Sequence, residues 1–216
     1  MRRRFLTSLV VFCASALGAG VSYAAPIIYS FEAPVFTLGQ TTPLLNKPPD
    51  AAGPATFLTS FTDAVDANGY VISNVHNNNL MVGQTLFELT ATSALTLTFN
   101  TPVTQLSVDF AINTGFAAPG SLRLVTPSGT VNQVGSNVGG GFPGGTLNFT
   151  TATPFTTATL EGFQPGGTVP TQIEIDNLNL TPIVTGVPEP STLGLLAFGS
   201  AVLIGWRRKR RTSPLA

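Results

Sequence analysis

Two runs of strict alternation constrain this chain more than any other feature: Leu95-Thr96-Leu97-Thr98-Phe99 and Leu106-Ser107-Val108-Asp109-Phe110-Ala111-Ile112. Apolar residues at every second position line one face of a pleated strand, and a helix cannot gather such a set on one side. Asn100-Thr101-Pro102, between the two runs, reads as a turn. Related patterns recur at Ile27 to Phe31, Thr56 to Phe61, Tyr70 to Val75, Leu86 to Thr90, Leu122 to Val125, Thr130 to Val134, Thr146 to Phe149, Thr156 to Phe163 and Ile173 to Leu180. Thirty threonines among 216 residues, with few Lys, Glu or Met, favour strands over helices. Short strands at this spacing predict a single all-β domain, a β-sandwich. Residues 39–54 are expected to form an irregular crossing, Gly139 to Gly145 a flexible tip, and Asn68-Gly69 a hairpin turn.

The sandwich has no covalent help. The one cysteine, Cys13, sits near the N-terminus, so the body has no disulfide, no thiolate metal site and no cysteine nucleophile. The neutral formal charge of the whole chain hides an uneven distribution. Between residues 26 and 186 only Lys47 and Arg123 oppose nine carboxylates, a net charge of −7. Such a body lacks the basic patch that phosphate backbones require, which excludes nucleic acid as a partner.

The positive charge lies at the two ends. Arg2, Arg3 and Arg4 precede an apolar stretch from Phe5 to Leu17, and Ser22-Tyr23-Ala24 offers small residues where a signal peptidase cuts. Cleavage after Ala24 is expected, with Ala25 as the second choice. Phe12 before Cys13 argues against lipidation.

At the other end, Val187-Pro188-Glu189-Pro190-Ser191-Thr192 leads into an apolar run from Leu193 to Trp206, followed by Arg207, Arg208, Lys209, Arg210 and Arg211. The prolines keep the hexapeptide extended and accessible. The run reads as a membrane helix with Leu193 and Trp206 at its ends. Sixteen residues from Ser191 to Trp206 span about 24 Å, against a hydrocarbon core of about 30 Å. The basic residues would then act as a stop-transfer segment. This order of motif, apolar helix and basic tail resembles the PEP-CTERM sorting domain. The resemblance implies an exosortase-type membrane transpeptidase as partner, passage through the inner membrane, and delivery to the cell surface or extracellular matrix. An ordinary membrane anchor is the alternative. The expected domains are a signal peptide at 1–24, a sandwich at 25–183 and the sorting signal at 184–216.

The body also resembles the jelly-roll sandwiches of carbohydrate-binding modules, through Ile28-Tyr29-Ser30-Phe31-Glu32 and Ile173-Glu174-Ile175-Asp176-Asn177-Leu178. That likeness implies a jelly-roll-like sandwich in which Glu32 and Asp176 share a structural calcium; two solvated edge carboxylates are the other reading. The apolar set of the last strand shifts phase from Ile173 and Ile175 to Leu178 and Leu180, so a β-bulge is expected at Asp176-Asn177.

Catalysis is not expected. The single histidine, His76, lies in an Asn-rich loop without triad or zinc partners, and no Gly-x-Ser-x-Gly elbow is present. Glu88, Asp109, Glu161 and Glu174 have the chemistry for glycoside hydrolysis. Yet the only tryptophan is Trp206, so the body lacks the indole platforms of a sugar cleft. Asp63 to Gly69 keeps part of a calcium-loop pattern but reads as a polar turn. The expected function is that of an exported, non-catalytic surface or matrix protein. A calcium-dependent carbohydrate-binding module with polysaccharide as partner, for which Phe116 and Phe142 in Gly-rich loops are the better stacking candidates, is the second reading, and a surface glycoside hydrolase the third.

Overall fold

The computed structural model describes residues 25–92, 94–114, 119–137, 139 and 141–183. Within Ala24–Ile183, one compact unit, ten strands form: β1 (Ile27–Tyr29), β2 (Leu44–Lys47), β3 (Thr59–Asp63), β4 (Tyr70–Ser73), β5 (Thr85–Glu88), β6 (Leu95–Ile112), β7 (Ser121–Thr126), β8 (Gly129–Val134), β9 (Gly144–Phe163) and β10 (Ile173–Pro182). Every strand pairing among them is antiparallel.

Two strands organise the rest. The alternating runs at Leu95 and Leu106 are halves of one 18-residue strand, β6, and β9 likewise joins two expected strands into one of 20 residues. Each half pairs differently. The first half of β6 lies between β3 and the second half of β9, while its second half lies between β10 and the first half of β9. The continuous ten-stranded ladder therefore folds over on itself at β6 and β9. One layer runs β4-β5-β10-β6-β9, with β1 beside the far half of β10; the other runs β2-β3-β6-β9-β7-β8.

The expected turn at Asn100-Thr101-Pro102 is a bend. Buried positions in β6 fall at Leu95, Leu97, Phe99 and Val103, then change phase to Leu106, Val108, Phe110 and Ile112. The register against β9 shifts between Thr98 and Gln105, which takes up the extra residue and lets both sets face the same interior. Asn100 holds the bend: its side chain accepts from Leu58 N and donates to Thr56 O, both at 2.8 Å.

Side chains from both layers meet in one hydrophobic core. It includes an aromatic group of Tyr29, Phe31, Phe36 and Phe61, packed edge to face with ring centres 5.2–6.3 Å apart. The 39–54 segment is more ordered than expected. It contributes β2, and its residues 39–42 and 51–52 hydrogen-bond to the outer edges of β4 and β1.

The expected fold class needs one correction. The described residues contain no helix, and none long and apolar enough to cross a membrane, so the fold they show is an all-β antiparallel sandwich, and the expected class is corrected to that, with no transmembrane helix among the described residues. The physical weakness of that expectation is length: about 24 Å falls short of a core of about 30 Å. Residues 193–206 themselves, and the expected signal peptide at 1–24, lie outside the described residues.

Candidate functional site

Strand β10 carries two carboxylates, Glu174 and Asp176, on the side opposite its core-facing Ile173 and Ile175. In an exposed strand they would be solvated. Both are 1% exposed. What covers them is the loop at residues 74–84, between β4 and β5. Asn77 N donates to Glu174 Oε2 at 3.1 Å, and Val82 N to Asp176 Oδ2 at 3.1 Å. A third carboxylate joins from the end of β1, where Glu32 Oε1 accepts from Gln84 N at 2.7 Å. Three acids from two distant segments thus satisfy three amides of one loop.

Each acid is held in place. Asp50 accepts from Ser30 N at 2.9 Å and from Glu32 N at 2.5 Å, fixing the chain around Phe31, whose φ is +59°. Thr85 Oγ1 donates to Glu174 Oε1 at 2.8 Å. The expected bulge occurs: the register of β10 against β6 shifts between Asp176 and Asn179, and Asn177 takes a φ of +49°. That turn brings Asn177 N to Asp176 Oδ1 at 2.7 Å and Asn177 Nδ2 to Asp109 Oδ2 at 3.1 Å.

The electrostatics follow from the covering. Burial pushes the Asp176 carboxyl up to about 6, and the charges of Asp109 and Glu32 add to the rise, against the amides of Val82 and Asn177. Burial also raises Glu174, opposed by its hydrogen bonds to Thr85 and Asn77 and by His76.

The loop is tied elsewhere too. His76 Nε2 donates to Gly83 O at 2.6 Å, closing the loop on itself. Asn78 Nδ2 donates to Phe110 O at 3.2 Å, and Phe142 N to Asn77 O at 2.6 Å. The stretch that reads in sequence as a featureless Asn-rich loop is therefore a built element.

Sequence reasoning paired Glu32 with Asp176, and the structure brings them under the same loop. It missed Glu174 and Asp50 as members; alternation of acid and Ile in β10 was the available signal. The reading of Glu32 and Asp176 as solvated edge groups does not hold for Asp176, because β10 is an inner strand under a loop. Among the described residues no group of three or more His, Cys, Asp or Glu is arranged to hold a metal ion. Phe116 lies outside the described residues.

The other acids with hydrolytic chemistry are also engaged. Glu88 Oε2 accepts from Ile173 N at 2.9 Å, Asp109 accepts from Thr146 and Asn177, and Glu161 pairs with Arg123. Asp63 caps its own turn, accepting from Val65 N and Asp66 N.

Fold and site define an antiparallel β-sandwich whose buried carboxylates fasten a surface loop. Comparison with protein families adds the particular feature. Residues 186–211 match the PEP-CTERM protein-sorting motif, so the chain carries the sorting signal characteristic of exosortase substrates. Processing by an exosortase-type membrane enzyme follows from that motif, and proteins bearing it are generally exported and sorted to the surface. The matched residues, including Pro188, Glu189 and Pro190, lie outside the described ones. Comparison with curated proteins finds no match.

Among solved structures, the chain is similar to a mannohexaose complex of a mutant of CBM29-2, a family 29 carbohydrate-binding module, at 11% identity over 73% of this chain and 92% of that one, with a TM-score of 0.34. It is also similar to the catalytic unit of a GH87 α-1,3-glucanase from Streptomyces thermodiastaticus strain HF3-3, at 13% identity and a TM-score of 0.31, over 50% of this chain and 22% of that one. The insecticidal crystal protein Cry2Aa matches at 15% identity and a TM-score of 0.34, over 63% of this chain and 23% of that one.

Proposed function

We propose that this chain is exported, non-catalytic cargo which an exosortase-type enzyme processes at the inner membrane and releases to the cell surface or extracellular matrix. The observation that carries the reading is the PEP-CTERM motif at residues 186–211. The sandwich supports it, because Glu88, Asp109, Glu161 and Glu174 are engaged in hydrogen bonds or an ion pair that serve the fold. The test is the intact mass and fractionation of the protein from cells with and without their exosortase. Loss of everything after about Pro190, with surface delivery only when the enzyme is present, is the expected result. An unprocessed chain with the same distribution in both strains would overturn it.

One observation favours a second reading, a calcium-dependent carbohydrate-binding module. Glu32 and Asp176 converge beneath one loop, and Glu32 contributes to the raised affinity of Asp176 for a proton. Calcium takes six to eight oxygens, so loop carbonyls and water would complete the shell. Titration of the full chain with calcium, followed by a polysaccharide panel with and without chelator, separates the two readings. Chelator-sensitive binding favours the module; calcium-independent silence across the panel favours plain cargo.

A further inference from the structure

At one end of the sandwich, β3, β4 and β5 each turn a polar side chain inward. On β3, Asp63 follows Phe61 on the core face, since residues two apart in a strand share a side. On β4 and β5, Tyr70 and Glu88 are register partners, one pair beyond Ile72 and Leu86 of the core. Tyr70 and Glu88 are both 0% exposed. Leu95, the register partner of Asp63, brings its backbone to the Tyr70 hydroxyl, so the two layers meet here.

The oxygens at this point outnumber their donors. Asp63 Oδ1 is spent on its own turn, accepting from Val65 N at 2.8 Å and Asp66 N at 3.2 Å. Its Oδ2 is buried without a hydrogen-bond partner among the described residues, and so is Tyr70 Oη. Glu88 Oε2 accepts from Ile173 N at 2.9 Å. Burial pushes the Tyr70 phenol up, and the charges of Glu88 and then Asp63 push it further, so both carboxylates act on the same hydroxyl. The two basic residues of the body are engaged elsewhere: Lys47 with Val35 O and Gln40 Oε1, and Arg123 with Glu161. Carboxylates in a low-dielectric interior need positive charge beside them.

We propose that Asp63, Tyr70 and Glu88 bind a hard divalent cation between the two layers, calcium by its chemistry. The donors are all oxygen, with no sulfur or imidazole among them, and one divalent ion balances two carboxylates. Carbonyls of the 63–69 turn and water would complete the shell. This site is separate from Glu32 and Asp176 and goes beyond both readings above, because it ties β3 of one layer to β4 and β5 of the other whether the chain is cargo or module.

The test uses terbium as a luminescent stand-in for calcium, in the full chain exported from cells and carrying Asp176→Asn to disarm the other acid pair. Emission excited through tyrosine should appear, saturate at about one ion per chain and be displaced by calcium, because Tyr70 touches the ion. Tyr70→Phe should abolish it. Asp63→Asn should weaken terbium binding roughly tenfold, whereas Asp66→Asn, at an exposed position of the same turn, should leave it unchanged. Should Tyr70→Phe fail to fold, the comparison of the two aspartates decides alone. In the same background calcium should raise the melting temperature, and Asp63→Asn should remove that rise; a merely structural aspartate would lower the melting temperature equally with and without calcium. No tyrosine-excited emission, equal binding by Asp63→Asn, or a calcium-dependent rise untouched by that change would each overturn the proposal.

Discussion

At Gly83 a single atom separates a fastened loop from a broken one. Its φ is +69°, and a Cβ built there would lie 1.8 Å from Glu32 Oε1, so the carboxylate occupies the space of a side chain. Gly83→Ala must therefore strain the backbone and displace Glu32 from Gln84. A loss of about 1–3 kcal/mol in chemical denaturation is expected. Asp176 behaves differently. Its folded-state carboxyl titrates at about 6, above the ordinary 3.8, so the folded state binds a proton more readily than the unfolded chain. The stability this adds is fully present below 3.8 and is lost as pH rises through about 6; Glu174 acts in the same direction. Melting temperature is thus expected to rise as pH falls from 8 to about 5, and Asp176→Asn should flatten that rise. A cation bound between Glu32 and Asp176 would oppose protonation, so added calcium should flatten it too if the second reading holds. The acids were legible in the sequence as types, and Asp176 was singled out by its bulge. Their burial was not, because the loop that covers them lies some 90 residues earlier in the chain, as the separations of 97 and 94 residues for Asn77 and Val82 show.

Strands β6 and β9 show what alternation does and does not determine about an element. The phase change near residue 103 was visible, and it was read as a turn between two strands. A change of phase is equally satisfied by a bulge inside one strand, and the choice depends on which neighbours each half finds. Asn100 makes the bend specific: exposed to solvent, it nonetheless ties residues 56–58 to the point where β6 passes between layers. Asn100→Ala should lose two side-chain hydrogen bonds and cost about 1–3 kcal/mol, more than an exposed position usually does. Measured by urea unfolding beside Asn132→Ala, an exposed position on β8, the difference should be plain. The aromatic group predicts a larger effect. Phe61 is fully buried against Tyr29, Phe31 and Phe36, and Phe61→Ala should cost about 3–5 kcal/mol by the same assay. Strand β2 escaped notice because Pro43, Asn46 and Pro48 interrupt any alternation there; its pairing depends on β3 being present.

For the whole molecule, address and body are separable. Replacing Pro188, Glu189 and Pro190 together by alanine should leave the melting temperature of the sandwich unchanged while abolishing processing and surface delivery, read by fractionation and intact mass. A fall in melting temperature would mean that the signal contributes to the fold. The sequence by itself determined the all-β class, through alternation and threonine content, and the sorting address, because a short linear motif is read as an extended peptide and needs no partner within the chain. It also determined the acidity of the body and the phase change that becomes the bulge at Asn177. Tertiary structure alone decided that two pairs of expected strands are two long ones and that carboxylates on β10 are buried. The physical reason is common to both: each depends on which segments distant in sequence come to lie side by side, and the identity of a residue does not specify its neighbour.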